Sequence, residues 1–232
     1  MVSGITTFSL IILLLAGCDK DDDNAPADSC SAFTSVTPVG RMTVAGNVFT
    51  YRTSGGGTIE INTDTAVRIY HDSYPNLKLE FWGNLGNTNG WEGSRQHESL
   101  NGKHIKDRID STTRTIILPD GAKITMVASS FSGPLVTVSI YDGGESHIIR
   151  HGCRRLIHSS TDPAVALQKD NAEADGEAGG FTISATGLLF ENLYMEPTPG
   201  NRTNNTYPLG ELFLNNPTNV NDYYDDPRLG HT

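Results

Sequence analysis

From about residue 41 to residue 82, and again from 113 to 150, the chain keeps one rhythm. Apolar and polar positions alternate for a few residues, and then a cluster of Gly, Asn, Asp or Pro breaks the run. A period of two puts every second side chain on the same face, as a half-buried β-strand requires. Thr58-Ile59-Glu60-Ile61 and Ala66-Val67-Arg68-Ile69-Tyr70-His71 follow this rule. In Leu77-Lys78-Leu79-Glu80-Phe81-Trp82 the residues Leu77, Leu79 and Phe81 share one face, and Lys78, Glu80 and Trp82 the other. Further strands are predicted at 113–118, 122–126, 135–141 and 145–150. The breaks read as turns. Ala45-Gly46-Asn47 suits a hairpin. Pro119-Asp120-Gly121 joins a residue that presets one backbone angle to one that supplies a positive φ. Asp142-Gly143-Gly144 closes the last pair. Hairpins in series pair antiparallel. The expected fold is all-β, an antiparallel meander forming a sandwich or an open barrel, with one short helix.

That helix follows residue 161. Asp162 can cap it, Pro163 suits the first helical position, and residues 164–169 have good helix propensity. Residues 83–102 have no periodicity, are rich in Gly and Asn, and contain Trp91 and His97; they are expected to form an ordered functional loop. Residues 172–180 read as a loop, followed by closing strands at 181–184 and 188–190. From residue 196 the chain is dense in Pro, Asn and Asp. It is expected to be an extended tail, partly docked through Leu212, Phe213 and Leu214.

The N-terminus has a different texture. Residues 8–16 are an apolar run, too short for a bilayer span of about 20 residues but suited to the core of a secretory signal. The run leads into Leu15-Ala16-Gly17-Cys18, and Asp19-Lys20-Asp21-Asp22-Asp23 follows. Leu15-Ala16-Gly17-Cys18 resembles the lipobox of bacterial lipoproteins. The resemblance implies that the Cys18 thiol takes a diacylglyceryl group, that the chain is cut before it, and that the new amine is acylated, with palmitate-type chains. Two or more acyl chains anchor stably where one is marginal. The acidic run looks like the export tag of surface lipoproteins in Bacteroidota-type bacteria. Read from its residues alone, it is a self-repelling solvated spacer. One departure is visible: residues 1–17 contain no Lys or Arg, so the Met1 amine is the only positive charge ahead of the apolar core. The resemblance covers about the first 23 residues and carries no catalytic residue into the β region. The expected organisation is a signal peptide over 1–17, an acidic flexible linker over 18–29, a β domain over 30–195 and a C-terminal tail over 196–232. The expected location is the outer membrane, lipid-anchored and facing the cell surface.

Charge narrows the partners. The chain has 17 Lys and Arg against 27 Asp and Glu, a net charge of -10. Phosphate backbones are bound by clustered cations, so nucleic acid is not an expected partner. With Cys18 lipidated, Cys30 and Cys153 remain. An even pair outside the cytoplasm is most simply a disulfide; two buried free thiols are the alternative. The bond would close a long loop, worth at most about 4–5 kcal/mol on the chain-entropy model.

Candidate chemistry is sparse. His147 and His151 lie four apart, too far along a strand to chelate one metal. His97-Glu98 with His104 lacks the helical spacing of zinc hydrolases. Asn171, Glu173 and Asp175 place oxygens at alternate positions before Gly176, as calcium loops do, but Thr182 stands where the closing acid belongs, so an acidic connection is the plainer reading. Trp82 and Trp91 could stack on sugar rings, against a packing role for each. There is no Gly-x-Ser-x-Gly elbow and no phosphate loop. The expected role is a non-enzymatic binding or structural lipoprotein, handling a glycan or a partner protein. The alternatives are a β-fold hydrolase of extracellular polysaccharide and a calcium-stabilised interaction module. No cofactor is expected, with calcium as the alternative.

Overall fold

The computed structural model describes residues 30–74, 77–82, 97–107, 113–128, 135–183 and 189–209. Its strands form two sheets. The first contains β1 (Met42–Ala45), β2 (Val48–Arg52), β3 (Gly57–Asn62), β4 (Ala66–His71), β5 (Lys78–Trp82), β6 (His97–Leu100) and β7 (Lys103–Asp107), paired antiparallel in chain order. The second contains β8 (Thr113–Ile117), β9 (Lys123–Ala128), β10 (Leu135–Asp142), β11 (Glu145–Arg150) and β12 (Arg155–Ser160). It is completed by β13 (Gly176–Ile183), β14 (Leu189–Glu196) and β15 (Thr203–Leu209), in the order β12-β11-β10-β9-β8-β13-β14-β15. The single α-helix among the described residues is α1 (Pro163–Asn171). The architecture is an all-β sandwich, not a closed barrel.

The alternation seen in the sequence builds the core. Ile59 and Ile61 of β3 lie opposite Ile69 and Val67 of β4, and all four are fully buried. Leu79 and Phe81 of β5 continue this face, while Glu60, Arg68 and Glu80 occupy the other. The second sheet answers with Ile116, Ile124, Met126, Val138, Ile140 and Ile149, which join the same apolar cluster. Each such side chain removed from water contributes about 1.5–3 kcal/mol. One charged pair also lies between the sheets. Arg114 of β8 sits on the inner face with Ile116, and its guanidinium donates at 2.9 and 3.1 Å to the two oxygens of Glu98 on β6. Both side chains are 0% exposed. A bidentate pair satisfies its own polar atoms, which is the condition for burying charge.

The meander turns form as the sequence suggests. Gly46-Asn47 closes β1 to β2 with Ala45 paired to Val48, and Gly143-Gly144 closes β10 to β11 with Asp142 paired to Glu145. Asp162 caps α1 by accepting from the Ala164 N–H at 2.8 Å.

Four expectations need correction. The loop drawn over 83–102 ends sooner, because residues 97–100 are strand β6. The loop drawn over 172–180 also ends sooner, because β13 begins at Gly176. The β domain does not stop at residue 195, since β15 pairs with β14 inside the stretch drawn as tail. And β13 lies parallel to β8, whereas hairpins alone would give only antiparallel neighbours. A parallel neighbour needs a crossover. The chain makes it by leaving β12 at the sheet edge and passing over the outer face through α1. Leu212, Phe213 and Leu214 lie outside the described residues.

Candidate functional site

Two polar constructions stand out, and both are carboxylate-rich. The first is a clasp between the sheets, at the end where the β2–β3, β8–β9 and β10–β11 turns meet. Its acceptors come from the second sheet and its donors mostly from the first. Asp142 accepts from Arg41 Nη1 at 2.9 Å, from the Ser54 N–H and Oγ at 2.8 and 2.9 Å, and from the Tyr51 hydroxyl at 3.3 Å. Glu145 accepts from Arg41 Nε at 2.8 Å and from the Arg41 backbone N–H at 3.0 Å. Asp120 accepts from the Thr53 hydroxyl and, at 3.2 Å, from the Gly55 N–H. Two glycines allow this approach. A Cβ on Gly40, which has φ +61°, would lie 2.2 Å from the Glu145 carboxylate, and one on Gly55 would lie 2.2 Å from the Asp120 side chain.

Histidines extend the clasp. Ser73 N–H donates to His71 Nδ1 at 3.2 Å, so in the neutral ring Nε2 carries the proton, and it points to Asp120 at 3.7 Å. His147 links Ser159 to Glu145: Nδ1 lies 2.9 Å from Ser159 Oγ and Nε2 lies 3.4 Å from Glu145 Oε2. This is a serine–histidine–acid chain, but it is not built to attack a substrate. The Ser159 oxygen already accepts from the Val39 N–H at 2.9 Å, and His147 is 0% exposed beneath it. Both ends of the chain hold backbone N–H groups of one short segment, at Val39 and Arg41. Burial holds His147 below its ordinary pKa. Burial would raise Glu145, but the bonds from Arg41 outweigh it and hold the carboxyl below its usual range.

The second construction is a strap. Residues 161–175 cross the outer face of the second sheet, where Thr115, Thr125, Ser139 and Tyr141 alternate with the inner Ile116, Ile124 and Ile140. Glu173 accepts from the Ser139 and Tyr141 hydroxyls on β10, both at 2.9 Å. Lys123 of β9 pairs with Asp170 at 2.6 Å and also with Asp175. Asp175 further accepts from the Tyr194 hydroxyl at 2.6 Å, and its backbone carbonyl accepts from Thr115 Oγ1 at 2.8 Å. Asp170 and Asp175 therefore share one lysine. Burial pushes Glu173 up, and burial together with the Asp175 contact pushes Glu196 up. Burial would raise Asp175 as well, but Lys123 and Tyr194 hold it below its usual range.

The strap accounts for two of the three residues spaced like a calcium loop. Glu173 and Asp175 turn to different strands, and Asn171 is exposed at the end of α1. Among the described residues no group of three or more His, Cys, Asp or Glu could hold a metal ion. Cys30 and Cys153 are joined in a disulfide, with their Cα atoms 5.4 Å apart. His151 does not face a metal with His147. It opens a short 3-10 turn, is 2% exposed, and neither ring nitrogen meets a hydrogen-bond partner. Burial drives it down to about 4 against the pull of Asp64. Trp82 ends β5 opposite Ala66 and His97. Cys18 and Trp91 lie outside the described residues. The Arg114–Glu98 pair, the clasp and the strap were all missed by sequence reasoning; only the polar residues at inner alternate positions, such as Arg114 beside Ile116, gave any signal.

Comparison of the chain with protein-family models, with curated proteins and with solved structures finds no match.

Proposed function

We propose that this protein is a lipid-anchored β-sandwich of the outer membrane, carried on Cys18 and facing the cell surface, with a non-enzymatic binding or structural role towards a glycan or a protein. The lipobox-like Leu15-Ala16-Gly17-Cys18 and the acidic run behind it support the anchor and the location. One structural observation carries the non-enzymatic part. The clasp carboxylates Asp120, Asp142 and Glu145 each already accept from groups that hold the sheets or the N-terminal segment together. A hydrolase of polysaccharide is the alternative, and it would need two free carboxyls about 5–9.5 Å apart.

The test is protease shaving of intact cells that express the wild type or Cys18→Ala. Cleavage of the wild type from outside, with release or mislocalisation of the variant, is expected. Protection of the wild type until the envelope is opened would place it on the inner side and turn the search to periplasmic partners.

A further inference from the structure

We propose that residues 31–38 form a hinged guard over the free edge of the second sheet, latched by the Cys30–Cys153 disulfide and released when a dithiol reduces it. β12 is the terminal strand of that sheet. Open strand edges invite pairing with another chain, and proteins cover them. Here the cover is not a strand of the sheet. Val36 N–H donates to the Leu156 carbonyl on β12 at 2.8 Å. The Arg155 guanidinium donates to the carbonyl of Cys30 at 2.6 Å and to that of Phe33, and the Arg150 guanidinium lies 4.9 Å over the Phe33 ring.

The two ends of the guard are held differently. Beyond Pro38 the chain is fixed by the clasp, through Val39 to Ser159 and through Arg41 to Asp142 and Glu145. Gly40, in a left-handed conformation against Glu145, is the hinge point. At the other end the disulfide is the fixed point. Between them the segment is mostly exposed; Ser31, Ala32, Thr34, Ser35, Val36 and Thr37 bury little surface. The entropy of ordering such a stretch exceeds what its few hydrogen bonds return, so it stays docked only while both ends are tied.

Neither cysteine is fully buried. A dithiol thiolate attacks one sulfur and forms a mixed disulfide. The second thiol of the reductant then displaces that cysteine. Cys30 and Cys153 leave as two thiols and the reductant leaves as a cyclic disulfide, so two electrons pass in all. The guard then swings about residues 39–41 and uncovers the Leu156 carbonyl and the β12 edge.

The experiment is hydrogen exchange on the folded full chain, oxidised or treated with dithiothreitol, beside the double variant Cys30→Ser with Cys153→Ser. Exchange at the Val36 amide should rise at least about tenfold, as local opening requires. The Arg41 amide, held by Glu145, and the amides of β3, β4 and β10 should change by less than about twofold. Unchanged protection at Val36 would overturn the latch. So would loss of protection at Arg41 and in the core together with Val36, because the bond would then hold the whole domain and not a guard. A disulfide that resists dithiothreitol in the folded protein would overturn the release step.

Discussion

The clasp and the strap are built from the same residue types and solve opposite problems. In the clasp each carboxylate from the second sheet meets an excess of donors: a guanidinium, hydroxyls and backbone N–H groups. In the strap one lysine serves two carboxyls, Asp170 and Asp175, and Glu173 accepts from two hydroxyls. In the first arrangement Glu145 is held below the usual carboxyl range; in the second Glu173 and Glu196 are pushed up while Asp175, beside Lys123, is held down, since opposite charge and hydrogen bonding lower a carboxyl's pKa while burial and like charge raise it. The count of acids in a region therefore says little. The ratio of donors to carboxyls around each one decides whether it is a tie that holds at neutral pH or a group that holds best in mild acid.

Removing an acid from the donor-rich region should do the most harm. Asp142→Ala leaves the fully buried Tyr51 and two Ser54 donors without their acceptor and takes from Arg41 one of its two carboxylate partners. Each buried donor left unpaired costs about 1–3 kcal/mol, and denaturant unfolding should show a loss of about 3 kcal/mol. A loss under about 1 kcal/mol would mean that the clasp is an ordinary solvated ion pair.

Acid should act on the clasp and on the opposite end of the sandwich together. His147 and His151 are both held below their ordinary pKa by burial. A base whose folded pKa is depressed stabilises the fold above its unfolded value, and that stability is lost as pH falls. For His151, from 6.5 to about 4, the loss amounts to about 3 kcal/mol across that window. His151→Leu should remove most of the fall in melting temperature between pH 6.5 and pH 4, leaving the smaller share that belongs to His147. If the variant melts with the wild-type pH profile, the acid sensitivity resides elsewhere.

The strap should yield to the loss of its one cation. Lys123→Met leaves Asp170 and Asp175 facing each other over a buried surface. The expected loss is about 2 kcal/mol, near the lower end of the range for orphaned buried charge. Proteolysis within residues 161–175 should rise while the core strands stay protected. Equal loosening of the β2–β3 turn would show that the two regions are not separate.

The sequence made some of this plain and concealed the rest for identifiable reasons. Alternation exposed Ile59, Ile61, Ile69 and Leu79 because a strand's faces are a local property. Hairpin turns at Gly46-Asn47 and Gly143-Gly144 were equally local. The Gly176–Gly180 part of β13 looked like a loop because glycines carry no pattern; its partner is β8, which comes much earlier in the chain. Glu98 looked like part of a solvated loop because its guanidinium partner sits on the other sheet. The alternate oxygens at Asn171, Glu173 and Asp175 imitated a calcium loop, yet a spacing of two residues on a crossing strap sends each acid to a different strand. The clasp was hidden for the same reason. Asp120, Asp142 and Glu145 read as turn residues, and only the packing of two sheets shows what they accept.

The finest test of the contrast is Glu173→Gln. Glu173 is pushed up by burial, even though Ser139 and Tyr141 donate to it. An acid whose folded pKa is raised holds its proton in the native state after the unfolded chain has lost it. The stability it lends is full below the unfolded value, near 4.5, and is lost as pH rises through the folded one. Glutamine copies the protonated acid, with one oxygen to accept and one amide to donate, and cannot ionise. At pH 8 the variant should therefore be more stable than the wild type, by about 1 kcal/mol for each unit of raised pKa, while at pH 4 the two should match. The same exchange in the clasp, Glu145→Gln, should have the opposite sign. It destabilises at pH 8, because Arg41 loses a charge partner, and the difference shrinks in acid as the wild-type carboxyl is itself neutralised. Melting curves of both variants at the two pH values decide the matter. If both shift in the same direction at pH 8, donor supply is not what separates the two regions.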